Sequence, residues 1–144
     1  MNFKIREATT NDVGAITNLN KMELGYEYSV VDTAKKLEYV LASEKDKVLV
    51  AVVDDNVIGY IHANDYEVLY FPHMKNIMGI AVYSEYRKCG VGRALLDEVE
   101  KWAGETGAKG VRLVSGASRN GAHEFYRRCG YNGGKEQVNF KKML

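Results

Sequence analysis

Proline, cysteine and tryptophan are scarce in this chain. Its 144 residues include one proline, two cysteines and one tryptophan. Only Pro72 interrupts the chain in this way, and there is no repeat, linker or low-complexity segment, so one domain over residues 1–144 is expected. Cys89 and Cys129 are distant in sequence, which favours two reduced thiols over a disulfide.

Long apolar runs and an excess of one charge are also absent. No run is long enough to span a membrane, and residues 1–6 lack the apolar core of a secretion signal, so a cytoplasmic protein with no membrane partner is expected. The net charge is only +1, which argues against nucleic acid as the main partner. Three scattered histidines and two cysteines show no metal-site spacing, so we expect no metal.

Apolar residues along the chain alternate between the spacing of strands and that of helices. Their order predicts β-α-α-β-β-β-α-β-α-β, an α/β protein with a mixed sheet flanked by helices. Asn76–Val82 is short and apolar, as is typical of a central strand, and Gly79 within it predicts a bulge or a close backbone approach. A last strand is expected over Glu136–Lys141.

A basic loop with two glycines separates the central strand from the next helix. Gly90 and Gly92 have no Cβ, so backbone N–H groups can approach phosphate oxygens closely. The N-terminus of the following helix adds unpaired donors and a favourable dipole. Positive charge comes from Arg87, Lys88 and Arg93. The loop therefore suits a pyrophosphate.

Three kinds of phosphate loop are compared with this segment. A Walker loop requires a lysine and then serine or threonine after the second glycine, whereas Arg93 and Ala94 follow Gly92. A Rossmann fingerprint requires a third glycine where this chain has Leu95. Residues 87–92, Arg-Lys-Cys-Gly-Val-Gly, resemble the coenzyme A loop of the GNAT N-acetyltransferases. That pattern is glutamine or arginine, two residues, glycine, one residue, then glycine or alanine.

A second segment, residues 118–131, resembles the other signature of that family. Asn120 precedes a helix that carries the pair Phe125 and Tyr126 and ends at a glycine-aromatic step. Both motifs occur in the family's order, and the resemblance to its small single-domain bacterial members extends over essentially the whole chain. It implies a GNAT-like fold, with a central, mixed but mostly antiparallel β-sheet flanked by about four α-helices.

The resemblance implies acetyl transfer from acetyl-CoA to a primary amine of a small molecule. It also implies that the backbone of residues 80–82 meets the pantetheine and the acetyl carbonyl, and that Tyr126 protonates the departing thiolate. A phenol with a pKa of about 10 is a sensible donor to a thiolate whose conjugate acid has a pKa of about 8.5. The implied cofactor-binding residues are Ile80, Ala81, Val82, Arg87, Lys88, Cys89, Gly90, Val91, Gly92, Arg93, Ala94, Asn120 and Tyr126.

The general base is the point at which this chain departs from the family. Some members carry a glutamate four residues before the strand segment that meets the acetyl group, and here that position holds Asn76. An amide cannot take a proton at neutral pH, so another group, alone or through water, is needed. The candidates are Asp65, Glu67, His73, Tyr83 and Glu85.

Acidic and aromatic residues in segments 23–28 and 65–71 favour an amine acceptor. Acids attract an ammonium group, and aromatic rings can hold it by cation–π contact. The candidate acceptor residues are Tyr26, Tyr28, Tyr66 and Asn76. A homodimer interface is the alternative for residues 66–71. The alternative functions are acetylation of protein lysines or N-termini, and a non-catalytic acyl-CoA-binding regulatory module.

Overall fold

The computed structural model describes residues 2–144 and divides into two compact units, one ending at Arg112 and the other running from Leu113 to Leu144. The expectation of one domain over the whole chain stays a prediction. In chain order the helices and strands are β1 (Lys4–Glu7), α1 (Val13–Leu24), α2 (Val30–Leu41), β2 (Asp46–Val53), β3 (Asn56–Val68), β4 (Phe71–Val82), α3 (Val91–Glu105), β5 (Val111–Leu113) and α4 (Asn120–Arg128).

The five strands form one sheet in the order β1-β2-β3-β4-β5. Neighbours from β1 to β4 are antiparallel, so the predicted mixed α/β architecture with a mostly antiparallel sheet and four helices is confirmed. The central strand β4 is longer than predicted and begins at Phe71 rather than Asn76. Pro72 is tolerated because it lies at the start of the strand, where its missing N–H costs little.

Gly79 lies beside a β-bulge in β4. His62 pairs with Gly79 while Ala63 pairs with Ile77, which leaves Met78 as the extra residue. A Cβ on Gly79 would lie 3.3 Å from the hydroxyl oxygen of Tyr60. Both the predicted bulge and the predicted close approach are therefore confirmed, and the Tyr60 side chain leaves little room for any residue larger than glycine.

Helices cover both faces of the sheet in the first unit. The consecutive residues Val48–Ala51 of β2 are all buried, as expected for a strand whose two faces both meet helices. Ile16 and Leu19 of α1 pack with Leu37 of α2 in one cluster with the sheet. From α3, the buried side chains are Val91, Leu95, Leu96, Val99 and Ala103. This packing places the end of β4 and the start of α3 on a rigid support.

The second unit contains Leu113, the last residue of β5, helix α4 and the chain to Leu144. The predicted strand over Glu136–Lys141 is wrong, since residues 131–144 form neither helix nor strand. Val138 and Phe140 do alternate with polar residues, but both are exposed. A strand requires a partner edge, and within residues 113–144 only Leu113 belongs to a strand.

A buried carboxylate joins β1 to the start of α1. Arg6 donates two hydrogen bonds, of 2.8 and 2.9 Å, to the carboxylate of Asp12, and the Thr9 N–H donates a third, of 2.8 Å. Asp12 is 6% exposed, whereas Arg6 is 46% exposed. The hydrogen bonds from Arg6 are the main cause that holds the pKa of Asp12 below its usual value.

Asp12→Asn is expected to lower the free energy of unfolding by about 2 kcal/mol at pH 7, because it removes charge-assisted hydrogen bonds from a half-exposed arginine. A lowered folded-state pKa stabilises the fold above the unfolded pKa of about 3.9, and this contribution is lost as the pH falls through the folded value. Urea denaturation should therefore show the difference shrinking below about pH 4. The exposed Asp97→Asn serves as the control, and a difference that persists at pH 3 would contradict the assignment.

Candidate active site

The glycine loop has two residues in the left-handed backbone region at the start of α3. Gly90 has φ 85° and ψ 4°, and Lys88 has φ 62°. Among the described residues no side chain caps this helix, and the first backbone hydrogen bond runs from the Ala94 N–H to the Gly90 carbonyl at 3.0 Å. A helix start of this kind leaves backbone donors for an anion.

The loop is open to solvent, whereas the helix behind it is anchored in the core. Residues 87–90 are exposed, and so is Arg93, while Gly92 and Ala94 are half-buried. The Val91 side chain is only 1% exposed and packs in the core. The loop therefore offers accessible charge and backbone donors on a fixed base.

The predicted pantetheine segment lies at the end of β4. Its residues Ile80, Ala81 and Val82 pair with Ile61, Tyr60 and Gly59 of β3. On the side towards β5, the Lys109 N–H donates to His73 at 2.8 Å and the Lys75 N–H donates to Gly110 at 2.9 Å. Both bonds lie near the start of β4, well before the predicted segment.

Asn76 contacts an arginine, not an amine-binding acid. Its Oδ1 accepts a hydrogen bond from Arg112 Nη1 at 2.6 Å. The Arg112 guanidinium also lies 4.1 Å from the centroid of the Tyr66 ring. Arg112 thus brings together Asn76 and Tyr66, two of the four candidate acceptor residues, and the sequence did not single it out. The other two, Tyr26 and Tyr28, are exposed between α1 and α2.

Two of the candidate bases, Asp65 and His73, bind each other. Asp65 accepts hydrogen bonds from His73 Nε2 at 2.9 Å and from the Lys75 ammonium. Lys75 is 2% exposed, and its Nζ lies 3.7 Å from the centroid of the Trp102 ring. Burial alone would raise the pKa of Asp65, but the hydrogen bonds from Lys75 and His73 outweigh it and lower that pKa. A carboxylate held in this way is a weak proton acceptor.

The other candidate bases differ in their surroundings. The Tyr83 hydroxyl accepts a hydrogen bond from Asn18 Nδ2 at 2.5 Å. Glu67 on β3 and Glu85 in the 3₁₀ turn Ser84–Tyr86 are exposed. Burial raises the pKa of Tyr60, which stands over the bulge and donates to Asn20 Oδ1, to about 12. Tyr60 therefore keeps its proton at neutral pH.

Glu23 is a residue whose contacts the sequence did not reveal. It belongs to the acidic and aromatic segment expected around the acceptor. In the structure its Oε1 accepts from Arg87 Nη2 at 2.7 Å, and its Oε2 accepts from the Ser84 N–H at 3.2 Å. Glu23 and Arg87 are 64 positions apart, too far for any local spacing pattern to link them.

In the second unit, Asn120 is the first residue of α4 and Tyr126 lies further along the same helix. Tyr126 is half-buried, with its ring centroid 5.3 Å from that of Phe125 and 6.3 Å from that of Tyr131. Burial is the main cause that raises the pKa of Tyr126 above its usual value, although Arg119 opposes it. The phenol is therefore protonated at neutral pH and can act as a proton donor.

Two searches of residues 2–144 bear on other kinds of site. None of their helices is both long enough and apolar enough to cross a membrane. In the same part of the chain, no three histidine, cysteine, aspartate or glutamate side chains are grouped so that they could hold a metal ion.

The sequence model described as the acetyltransferase (GNAT) family matches residues 14–131. An N-alpha-acetyltransferase of Saccharolobus solfataricus is 27% identical over 150 residues, which cover 98% of this chain and 81% of the relative. An N-alpha-acetyltransferase of Sulfurisphaera tokodaii is 30% identical over 138 residues, covering 90% and 80%.

The fold also matches solved structures of acetyltransferases. Aminoglycoside acetyltransferase AAC(6')-Iy, in complex with the bisubstrate analogue CoA-S-monomethyl-acetylneamine, superposes with a TM-score of 0.87 at 16% identity and covers 100% of both chains. At that identity the match speaks for the fold. Taken with the family match and the two relatives, it means that the chain belongs to the GNAT acetyltransferase family and is an acetyl-CoA-dependent acetyltransferase.

Proposed function

We propose that this protein transfers the acetyl group of acetyl-CoA to the primary amine of a small molecule by direct attack, with Tyr126 as the general acid. The observation that carries the proposal is the exposed basic loop at the start of α3, where no described side chain caps the helix. A pyrophosphate supplies the negative charge and the acceptor oxygens that such a helix start lacks.

The described residues fit acetyl-CoA in each unit taken by itself. In the first unit, residues 87–94 would hold the pyrophosphate, and the backbone of residues 80–82 would pair with the pantetheine. In the second unit, Asn120 would contact the pantetheine. That unit also contains Ser115, whose buried Oγ is the one side-chain polar atom of its kind in residues 2–144 with no hydrogen-bond partner. An amide of the cofactor would satisfy such an atom.

The proposed reaction moves two protons. The acceptor must lose one first, since an alkyl ammonium with a pKa of about 10 has no lone pair for attack. The amine nitrogen then forms a bond to the acetyl carbon, the carbon–sulfur bond breaks, and the electron pair leaves on sulfur. Tyr126 gives its hydroxyl proton to that thiolate. Because Asn76 is engaged by Arg112 and Asp65 by Lys75, we propose that solvent or an exposed acid, Glu67 or Glu85, takes the first proton.

The pH dependence should show both steps. We expect kcat/KM to rise between about pH 7 and 9 as the amine deprotonates, and to fall only above about pH 10. The fall comes late because burial raises the pKa of Tyr126, so its proton is kept to a higher pH. In Tyr126→Phe the falling limb should disappear while the rising limb remains. An unchanged falling limb in that variant would assign the alkaline ionisation to another group.

Peptide N-termini are the second candidate acceptors. Both curated relatives are N-alpha-acetyltransferases, at 27% and 30% identity. The exposed rings of Tyr26 and Tyr28 support either acceptor, because they can hold an ammonium group of a small molecule or of a peptide.

A thiol-release assay with acetyl-CoA should separate the acceptors. The panel holds neamine, spermidine, peptides with free N-termini, and N-blocked lysine peptides. Turnover with the small amines alone supports the proposal, and turnover with free peptide N-termini alone supports the second candidate. Turnover only with blocked lysine peptides would indicate a lysine acetyltransferase. Coenzyme A binding without release from any amine would indicate a non-catalytic module.

We further propose a cytoplasmic location and a homodimer formed through residues 66–71. The supporting observation for the dimer is the exposure of Leu69, Tyr70 and Phe71 at the turn between β3 and β4. Sedimentation should then show a dimer that Tyr70→Lys converts to a monomer, and a monomeric wild type would exclude it.

A further inference from the structure

Helix α1 holds the segment that leads into the glycine loop at three points. Asn18 Nδ2 donates to the Tyr83 hydroxyl at 2.5 Å. The Ser84 N–H and Arg87 Nη2 both donate to the Glu23 carboxylate, at 3.2 and 2.7 Å. Because these contacts span residues 83–87, the chain between β4 and the glycine loop is fixed to a helix and not to its own neighbours.

Glu23 supplies what the local sequence does not. Tyr83, which precedes the 3₁₀ turn Ser84–Tyr86, makes no side-chain capping bond to the turn. The Glu23 carboxylate accepts the Ser84 N–H in its place and holds the Arg87 side chain that follows the turn. Its own side chain is 10% exposed, so the charge is largely removed from water and depends on these two donors.

The residues after Arg87 adopt backbone conformations that need support. Lys88 has φ 62°, a left-handed value that costs a side-chain-bearing residue about 1 kcal/mol or more. A loop held at its entry keeps such a conformation before the ligand arrives, which lowers the entropy lost on binding. Arg87 is 60% exposed, so its guanidinium keeps donors for a phosphate while one of its nitrogens bonds Glu23.

We propose that Glu23 is a positioning residue for coenzyme A, which fixes the loop of residues 87–93 by pairing with Arg87 and Ser84. The inference rests on the proposed function, because it takes this loop as the pyrophosphate site. It differs from the sequence-based expectation, in which the acids of segment 23–28 attract the acceptor amine.

The test is calorimetric titration of the full chain with coenzyme A. Glu23→Gln keeps an oxygen for the Ser84 N–H but loses the ion pair, and we expect it to raise the Kd about tenfold. Glu27→Gln removes an exposed acid from the same segment and should leave the Kd within about twofold. In an Arg87→Gln background, Glu23→Gln should have a much smaller further effect, because the partner is already gone.

Thermal melts and the wild-type titration decide between the possible failures. If wild type does not bind coenzyme A, the proposed cofactor site itself is wrong. If wild type binds and Glu23→Gln binds equally well, the positioning role is overturned, and a lowered Tm with unchanged Kd would show a structural role only. Tighter binding by Glu23→Gln would mean that Glu23 competes with the phosphates for Arg87, which also overturns the inference.

Discussion

Tyr126→Phe is expected to lower kcat by about 100-fold or more while the KM for acetyl-CoA stays within about twofold. The substitution removes one hydroxyl and keeps the ring that lies 5.3 Å from Phe125 and 6.3 Å from Tyr131. Without that proton donor the sulfur must leave as an anion. Steady-state kinetics with the amine that the acceptor panel identifies provides the measurement.

Tyr39→Phe is the matched control for loss of a phenol. Tyr39 lies on α2 and is 74% exposed, so its variant should keep wild-type kcat. If Tyr126→Phe also keeps wild-type kcat, then the thiolate leaves without help and Tyr126 has no catalytic role. If instead the KM for acetyl-CoA rises with kcat unchanged, Tyr126 binds the cofactor and does not protonate it.

Gly90→Asp is expected to raise the Kd for coenzyme A by about 100-fold or more, which corresponds to about 2.7 kcal/mol. The new carboxylate would stand at the exposed N-terminus of α3, where the pyrophosphate is proposed to bind, and would repel it while satisfying the helix donors itself. Aspartate is chosen because it tolerates a left-handed backbone better than most residues. Calorimetric titration with coenzyme A measures the change.

Gly107→Asp provides the same chemical change with similar backbone strain. Gly107 has φ 78°, against 85° for Gly90, and a Cβ added at either position would have no neighbouring atom within 4 Å. Gly107 follows the C-terminus of α3, so its variant should bind coenzyme A within about twofold of wild type. Equal losses in both variants would show that backbone strain, and not charge at the loop, reduces binding.

Local patterns were sufficient for the elements that carry the cofactor motifs. The loop before α3 and the helix from Asn120 with Tyr126 depend on glycine positions and on hydrophobic spacing within a few residues. The bulge beside Gly79 was also predictable, because glycine inside an apolar strand is rarely neutral. The strand over Glu136–Lys141 failed for the opposite reason, since alternation alone does not provide a partner edge.

The sequence by itself therefore determined the family motifs, the α/β order and the basic loop, because each is written in residues that are close along the chain. Only the tertiary structure decided the partners of the charged groups. Glu23 meets Arg87, Asn76 meets Arg112, and Asp65 meets Lys75. Strand register and helix packing set these distances, and no local spacing encodes them. That is why a glutamate expected to attract the acceptor is instead found holding the cofactor loop.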